Sequence, residues 1–174
     1  MPSKLVVSQS DVEAAAERIG DVVVCTPVIR LHGLGLWAKC ESLQAIGAFK
    51  IRGATNAVRA LRPTAVVAAS SGNHAQAIAS AAATAHIPCA VVMSLGSSPL
   101  IALGATVIDV AGGMPERIDA AVEFAEREGV TLIPSFDHPL VIAGQGTVGR
   151  EIIEQHPDVT TIIAPVGEVV CCRA

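Results

Sequence analysis

Short apolar runs alternate with segments of helical spacing over most of the chain from residue 63 onward. Runs bounded by turn residues predict strands, and apolar positions three and four apart predict helices. The predicted strands are 66–69, 88–93, 106–110, 131–134 and 160–166. The predicted helices are 73–85, a segment between Pro115 and Gly129, and 140–155. Such alternation indicates βαβ units, so the predicted fold class is α/β, a parallel sheet with right-handed crossover helices.

The first third of the chain is less regular. Ser10 and Glu13 form a capping-box pattern, which predicts a helix with Ser10 as N-cap that stops at Gly20. A strand is predicted over 36–41, and a helix over 54–61 that is closed by a proline.

The stretch from Pro63 to Ile108 contains no Lys, Arg, Asp or Glu. Scattered Ser, Asn, Gln and His residues interrupt it, so no apolar run reaches the roughly 18 residues of a membrane-spanning helix. The pattern therefore predicts strands of a parallel sheet that is buried on both faces.

Composition argues against several classes of function. The net charge is −4 with no basic stripe, and aromatic residues make up 2% of the chain, which argues against nucleic-acid binding. Five cysteines without a CxxC pair argue against a zinc site or a disulfide framework. The N-terminus lacks a signal-peptide pattern, so the expected location is the cytoplasm, with no membrane partner and no metal.

Lys50 is the main candidate for chemistry, because it lies in an apolar run and is followed at once by Ile51, Arg52 and Gly53. Burial disfavours a charged lysine, and a neutral amine can form a Schiff base with an aldehyde cofactor. Ser70 to His74 follow a predicted strand, where a polar turn at a helix start can hold a carboxylate. Together they predict pyridoxal-phosphate chemistry on an amino acid.

Each segment also has a purely structural interpretation. Lys50 would then be a surface lysine at a helix start, and Ser71 or Asn73 would simply cap the following helix. A rival functional interpretation comes from 144–149, which matches the GxGxxG dinucleotide pattern, with Glu168 about 20 residues beyond it. That fingerprint requires glycine directly after a strand, whereas the preceding predicted strand ends near Ser135.

Several segments together resemble the threonine dehydratase and serine racemase family, pyridoxal-phosphate enzymes with the tryptophan-synthase-β-like fold. The matching segments occur in family order, at 26–28, 39–44, 47–54, 70–76, 136–147 and 164–167. The most specific are Phe49-Lys50-Ile51-Arg52-Gly53-Ala54 and Ser70-Ser71-Gly72-Asn73-His74.

The resemblance implies a role for each site residue. Lys50 would carry the pyridoxal 5'-phosphate as a Schiff base and act as the base at Cα. Phe49 would lie beside the cofactor ring, Asn73 would bind the ring hydroxyl, and Gly167 would contribute to the cofactor site. Four neighbours would hold the substrate, namely Ser70, Ser71, Gly72 and His74. In racemising relatives, the serine that matches Ser71 is also the acid/base on the opposite face, so the implied catalytic pair is Lys50 and Ser71.

The implied reaction removes the α-proton and the β-hydroxyl of serine or threonine and releases ammonia and a 2-oxo acid. By resemblance, residues 45–138 would form the small cofactor-side domain, while 1–44 and 139–174 would belong to a large domain whose remainder is absent. Two departures from the family stand out. Ala48 replaces the usual serine, and Glu168, Val169 and Val170 follow Gly167 where relatives have phosphate-binding glycines.

Four functional hypotheses stay open at this point. The first is a working ammonia-lyase for a small hydroxy amino acid, completed by a partner chain or as a homo-oligomer. The second is an inactive, truncated member of the same family. Serine racemase and a nicotinamide-dinucleotide-binding domain are the third and fourth.

Overall fold

The structure is a computed structural model that describes residues 7–96 and 103–164. Its helices are α1 (Gln9–Ile19), α2 (Lys50–Leu61), α3 (Asn73–Thr84), α4 (Met114–Glu128) and α5 (Pro139–Gln155). Its strands are β1 (Val28–Leu31), β2 (Leu36–Lys39), β3 (Val66–Ala69), β4 (Cys89–Ser94), β5 (Thr106–Val110) and β6 (Thr131–Leu132). A short 3-10 helix spans Glu41–Leu43.

The central sheet is four-stranded and parallel, with the strand order β5-β4-β3-β6. Every residue of β3 is buried, because alternate side chains enter the cores on opposite faces. Val66 packs with α2 and α3, whereas Val67 packs with α4. The predicted α/β fold class is confirmed. The prediction of strands that are buried on both faces is confirmed for β3 and β4.

Strands β1 and β2 form a separate antiparallel ribbon, in which Ile29 lies opposite Ala38 and Arg30 opposite Trp37. The ribbon lies next to the C-terminal end of α5. Lys39 donates a hydrogen bond to Gln155, and the Trp37 ring meets the His156 ring edge-on, with a centroid distance of 4.7 Å.

Two predicted helix starts and one predicted strand differ from the structure, and the predicted strands over 36–41 and 131–134 end two residues earlier, at Lys39 and Leu132. The N-cap of α1 is Ser8 and not Ser10, because Ser8 and Asp11 exchange side-chain and backbone hydrogen bonds across the first turn. Helix α2 begins at Lys50 and not at 54. The predicted strand over 160–166 has no strand structure within 160–164, because no strand of the described residues lies beside it; its last two residues fall outside them.

The glycine-rich segment 144–149 lies inside helix α5, and the preceding strand β6 ends at Leu132. A Cβ atom at Gly144 would lie 2.7 Å from the Arg52 carbonyl oxygen and 2.7 Å from the Gly53 Cα atom of helix α2. Gly144 therefore allows helices α2 and α5 to approach closely, as the family resemblance implies. The glycine-rich segment does not form the strand-to-helix turn that a dinucleotide needs.

Replacing Gly144 with alanine is expected to lower the free energy of unfolding by about 1–3 kcal/mol, because the new methyl group meets backbone that cannot rotate away. The matched control is Gly149→Ala on the same helix. A Cβ atom there meets nothing within 4 Å, and alanine favours a helix by roughly 0.5–1 kcal/mol. Urea denaturation measures both variants, and equal effects would refute the close-approach explanation.

Candidate functional site

The candidate site lies where strands β3, β4 and β6 reach their carboxyl ends, the edge at which parallel α/β sheets bind ligands. Lys50 is the first residue of α2 and is half-buried. Its Nζ atom donates a hydrogen bond of 3.0 Å to the Ser135 carbonyl oxygen, and it lies 5.5 Å from the centroid of the Phe49 ring. Lys50 is therefore tied to the end of the sheet and is not a freely solvated lysine.

His74 lies in the first turn of α3 and is 3% exposed. Its Nε2 atom is 3.0 Å from the Ile133 carbonyl oxygen, which can only accept, so Nε2 carries the proton. Burial, with a further contribution from the nearby Lys50 cation, lowers the pKa of His74 to about 4. His74 is thus a neutral imidazole at physiological pH.

The Nδ1 atom of His74 is buried and has no hydrogen-bond partner among the described residues. In this tautomer Nδ1 is an acceptor. The site therefore contains a buried acceptor on a ring whose pKa the charge of Lys50 helps to lower. The short segment after β6 joins the two side chains, because Ile133 accepts from His74 and Ser135, which is also buried, accepts from Lys50.

Ser71 faces a different set of neighbours. Its hydroxyl oxygen accepts hydrogen bonds from the Arg117 guanidinium at 2.8 Å and from the Ser94 backbone N–H at 3.0 Å. Arg117 lies in the first turn of α4, and Ser94 is the last residue of β4. The contacts thus form two groups. Lys50 and His74 both bind the segment after β6, whereas Ser71 binds Arg117 and the end of β4.

The remaining residues of the predicted turn are Ser70, Gly72 and Asn73. The Gly72 backbone N–H donates to the Ser70 hydroxyl at 3.3 Å, and Asn73 is an exposed residue that begins α3. Gly167 falls outside the described residues, as do Glu168 and the residues after it. Sequence reasoning did not identify Ser135, Ser94 or Arg117 as neighbours of the site.

A buried ionic cluster surrounds Arg52 of α2, the helix that begins with Lys50. Arg52, two residues after Lys50, is fully buried and holds Glu41 on one side and Glu151 on the other. Lys39 adds a second cation, with its Nζ atom 2.6 Å from Glu151. The cluster joins the segment before α2 to helix α5 and so fixes the helix that carries Lys50.

The described residues contain no group of three or more His, Cys, Asp or Glu side chains that could hold a metal ion. No helix among them is both long and apolar enough to cross a membrane.

Comparisons with known proteins agree on one family. A family model described as pyridoxal-phosphate dependent enzyme matches residues 19–169. L-threonine ammonia-lyase of Geobacter sulfurreducens is 37% identical over 90% of this chain and 42% of the relative. L-threo-3-hydroxyaspartate ammonia-lyase of a Pseudomonas species is 41% identical over 84% of this chain and 51% of the relative. Serine racemase of Schizosaccharomyces pombe is 41% identical over 83% of this chain and 50% of the relative.

Solved structures agree with the sequences. Maize serine racemase superposes with a TM-score of 0.83 at 33% identity, over 88% of this chain and 51% of that one. Serine racemase of Dictyostelium discoideum superposes with a TM-score of 0.78 at 35% identity, over 88% and 55%. A bacterial threonine deaminase superposes with a TM-score of 0.79 at 40% identity, over 86% and 52%. The chain spans about half the length of the relatives that it matches.

Proposed function

This chain belongs to the pyridoxal-phosphate dependent enzyme family, and we propose on that premise that it forms the cofactor-side part of an ammonia-lyase. The substrate would be a small hydroxy amino acid such as serine or threonine, and the products would be a 2-oxo acid and ammonia. The observation that carries the proposal is that the half-buried Lys50 amine and the buried, neutral His74 both bind carbonyl oxygens of the short segment after β6, at Ser135 and Ile133.

The residues present fit an aldehyde cofactor. They offer an amine at the carboxyl end of a parallel sheet, an aromatic ring beside it, and a buried acceptor nitrogen without a described partner. We propose that Lys50 holds pyridoxal 5'-phosphate covalently, that Phe49 lies beside its ring, and that Asn73 binds its hydroxyl. When bound, the cofactor supplies the electron sink for cleavage at Cα, while the protein orients the substrate and moves protons.

Lys50 would take the proton from the substrate Cα. The Ser135 carbonyl oxygen, which already accepts from Nζ at 3.0 Å, would hold the amine at the edge of the sheet whenever it is not bound to the cofactor. Because His74 is neutral, it adds no second positive charge next to Lys50. A cationic imidazole there would repel protonated Lys50 and so disfavour the amine's uptake of a proton.

We propose that the substrate carboxylate is held by the turn from Ser70 to Asn73, which leads into the N-terminus of α3. A carboxylate accepts hydrogen bonds and so must be bound by donors. The ring of neutral His74 has one N–H group, which already donates to the Ile133 carbonyl oxygen. His74 would therefore act only through its acceptor nitrogen. The direct donors would be Ser70, Ser71 and the exposed N–H of Gly72, which would exchange its 3.3 Å hydrogen bond to the Ser70 hydroxyl for one to the carboxylate. Arg117 adds positive charge next to Ser71.

The domain organisation and location are further parts of the proposal. All four strands of the parallel sheet lie within 45–138, which supports the assignment of that range to the small cofactor-side domain, with 1–44 and 139–174 in the large domain. Cys25, Cys40 and Cys89 are free thiols, which supports a reducing, cytoplasmic location.

The test is the visible absorption of purified protein after incubation with pyridoxal phosphate and removal of the excess. We expect an imine band in the wild-type chain that is lost in Lys50→Ala. Lys4→Ala controls for imine formation at another lysine and is expected to keep the band. A band that survives in Lys50→Ala, or no band in folded wild-type protein, would refute the proposal. Where a band is present, assays with serine and threonine for the 2-oxo acid and for the opposite enantiomer separate dehydration from racemisation.

A further inference from the structure

The two serines of the turn after β3 differ in what binds their hydroxyl oxygens. The Ser71 oxygen accepts hydrogen bonds from the Arg117 guanidinium at 2.8 Å and from the Ser94 backbone N–H at 3.0 Å. The Ser70 oxygen accepts one long bond among the described residues, of 3.3 Å, from the Gly72 N–H. Because a hydroxyl oxygen has two lone pairs, the oxygen of Ser71 is fully used and that of Ser70 is not.

Ser71 is therefore left as a hydrogen-bond donor. Its proton can point to the Ser94 hydroxyl, but that oxygen is 3.4 Å away. An ordinary O–H···O bond measures roughly 2.5–3.0 Å. Ser71 is also exposed, directly after the carboxyl end of β3. Its proton is thus available to a ligand in the turn, whereas its lone pairs are not.

Arg117 is held in place from the start of its own helix. Its Nε atom donates to the Gly113 carbonyl oxygen at 3.1 Å, at the N-terminus of α4, while Nη1 reaches Ser71. The guanidinium is a rigid plane, so the bond at Nε fixes the direction of Nη1. Hydrogen bonds from a cation stabilise negative charge on the accepting oxygen, which makes Ser71 a stronger donor than an ordinary serine.

No other charged side chain among the described residues has a hydrogen bond to this pair. Glu116 of α4 accepts instead from a backbone N–H at its own helix start, at 2.7 Å. Asp109 of β5 is exposed, and His74 of α3 is neutral. Arg117 is therefore the charged group that acts on Ser71.

We infer that Arg117 is a positioning residue for the substrate carboxylate, because it engages the Ser71 oxygen and leaves Ser71 to present only its proton. The inference rests on the proposed function, in which this turn binds the carboxylate. Arg117 acts here through Ser71 and does not itself contact the substrate. A double-mutant cycle separates this role from a direct ion pair between Arg117 and the carboxylate.

The first test replaces the hydroxyl with a thiol, whose ionisation can be followed directly. Alkylation of the cofactor-free chain by iodoacetamide is measured against pH, by mass spectrometry of the fragment that carries the substitution. In Ser71→Cys we expect the half-point of the rate to lie about one pH unit or more below that in Ser70→Cys, because only the thiolate reacts and Arg117 stabilises it. Adding Arg117→Met is expected to remove this difference. Adding Arg117→Lys, which keeps the charge, is expected to retain part of it.

The second test measures carboxylate binding. Propionate is titrated into the cofactor-free chain, and the amide NMR signal of Gly72 reports binding. Arg117→Met and Ser71→Ala are each expected to weaken binding roughly threefold to tenfold, and the double variant is expected to bind no more weakly than Ser71→Ala. Arg127→Met is the matched control on the same helix, where the arginine pairs with Glu128, and is expected to bind like wild type.

Four outcomes would overturn the inference. They are equal half-points in Ser70→Cys and Ser71→Cys, the same loss with lysine as with methionine at Arg117, no response of Gly72 to propionate, and additive effects in the double variant. The last would assign Arg117 a direct contact with the carboxylate. Neither test uses the cofactor, and Lys50→Ala is expected to behave like wild type in both. Failure here and failure of the imine test are therefore distinguishable.

Discussion

Replacing Arg52 with methionine is expected to lower the free energy of unfolding by about 3–5 kcal/mol. The guanidinium is fully buried and makes paired hydrogen bonds to both carboxylates, at 2.8 and 2.8 Å to Glu41 and at 2.6 and 2.9 Å to Glu151. It also donates to the Thr147 hydroxyl and the Val24 carbonyl oxygen. Methionine would fill similar space but would leave two partly buried carboxylates with a single cation, Lys39.

The charge states support this reasoning. Burial alone would lower the pKa of Arg52, but hydrogen bonds and attraction from the two carboxylates raise it above the ordinary value. Burial alone would raise the pKa of Glu151, but hydrogen bonds from Arg52 and Lys39 hold it below the ordinary value. Arg52 and Glu151 therefore stay ionised at neutral pH, and removal of Arg52 leaves uncompensated charge.

Urea denaturation at neutral pH measures the loss. Arg59→Met is the matched control, since Arg59 lies on the same helix but pairs with the exposed Asp21, and surface pairs contribute little. We expect a far smaller change for Arg59→Met. If both variants lost the same stability, the buried cluster would not be what holds α2 in place. Because typical domains have only about 5–15 kcal/mol of stability, Arg52→Met can also leave the chain largely unfolded, which agrees with the prediction.

The sequence predicted β3 and β4 well because burial on both faces makes them continuous apolar runs. Strand β3 has the predicted bounds, 66–69, and β4 lies one residue beyond the predicted 88–93. The partly exposed strand β5 also has the predicted bounds, 106–110, and α3 and α5 begin or end within one residue of prediction. The N-cap of α1 was misplaced because two serines two residues apart, Ser8 and Ser10, can both begin a helix, and Asp11 decides between them through its hydrogen bonds.

The sequence could not predict which side chains far apart along the chain would pair. Glu41, Arg52 and Glu151 form one cluster although Arg52 and Glu151 are 99 residues apart, and nothing in their local patterns indicates the pairing. Lys50 and His74 could be proposed as site residues because the signal in the sequence lies in their side chains. The contact of Lys50 with Ser135 was missed because a backbone carbonyl oxygen has no sequence signature.

Acidification from pH 7.5 to 5 is expected to lower the free energy of unfolding by about 2 kcal/mol through His74 alone, and by about 3 kcal/mol once the pH falls below 4. The folded-state pKa of His74 is lowered from 6.5 to about 4, because burial disfavours the imidazolium and the Lys50 cation repels it. Between these two values the unfolded chain binds more protons than the folded chain. Stability is therefore fully present above pH 6.5 and is lost as the pH falls towards 4.

His74→Gln isolates this effect, because glutamine stays neutral and can still donate a hydrogen bond to the Ile133 carbonyl oxygen. Urea denaturation between pH 5 and 7.5 is expected to show a smaller pH slope in this variant, whatever its stability at pH 7.5. His32→Gln, at an exposed position, is expected to keep the wild-type slope. An unchanged slope in His74→Gln would mean that the pKa of His74 is the same in the folded and unfolded chains, and the lowering of that pKa by burial would then be refuted.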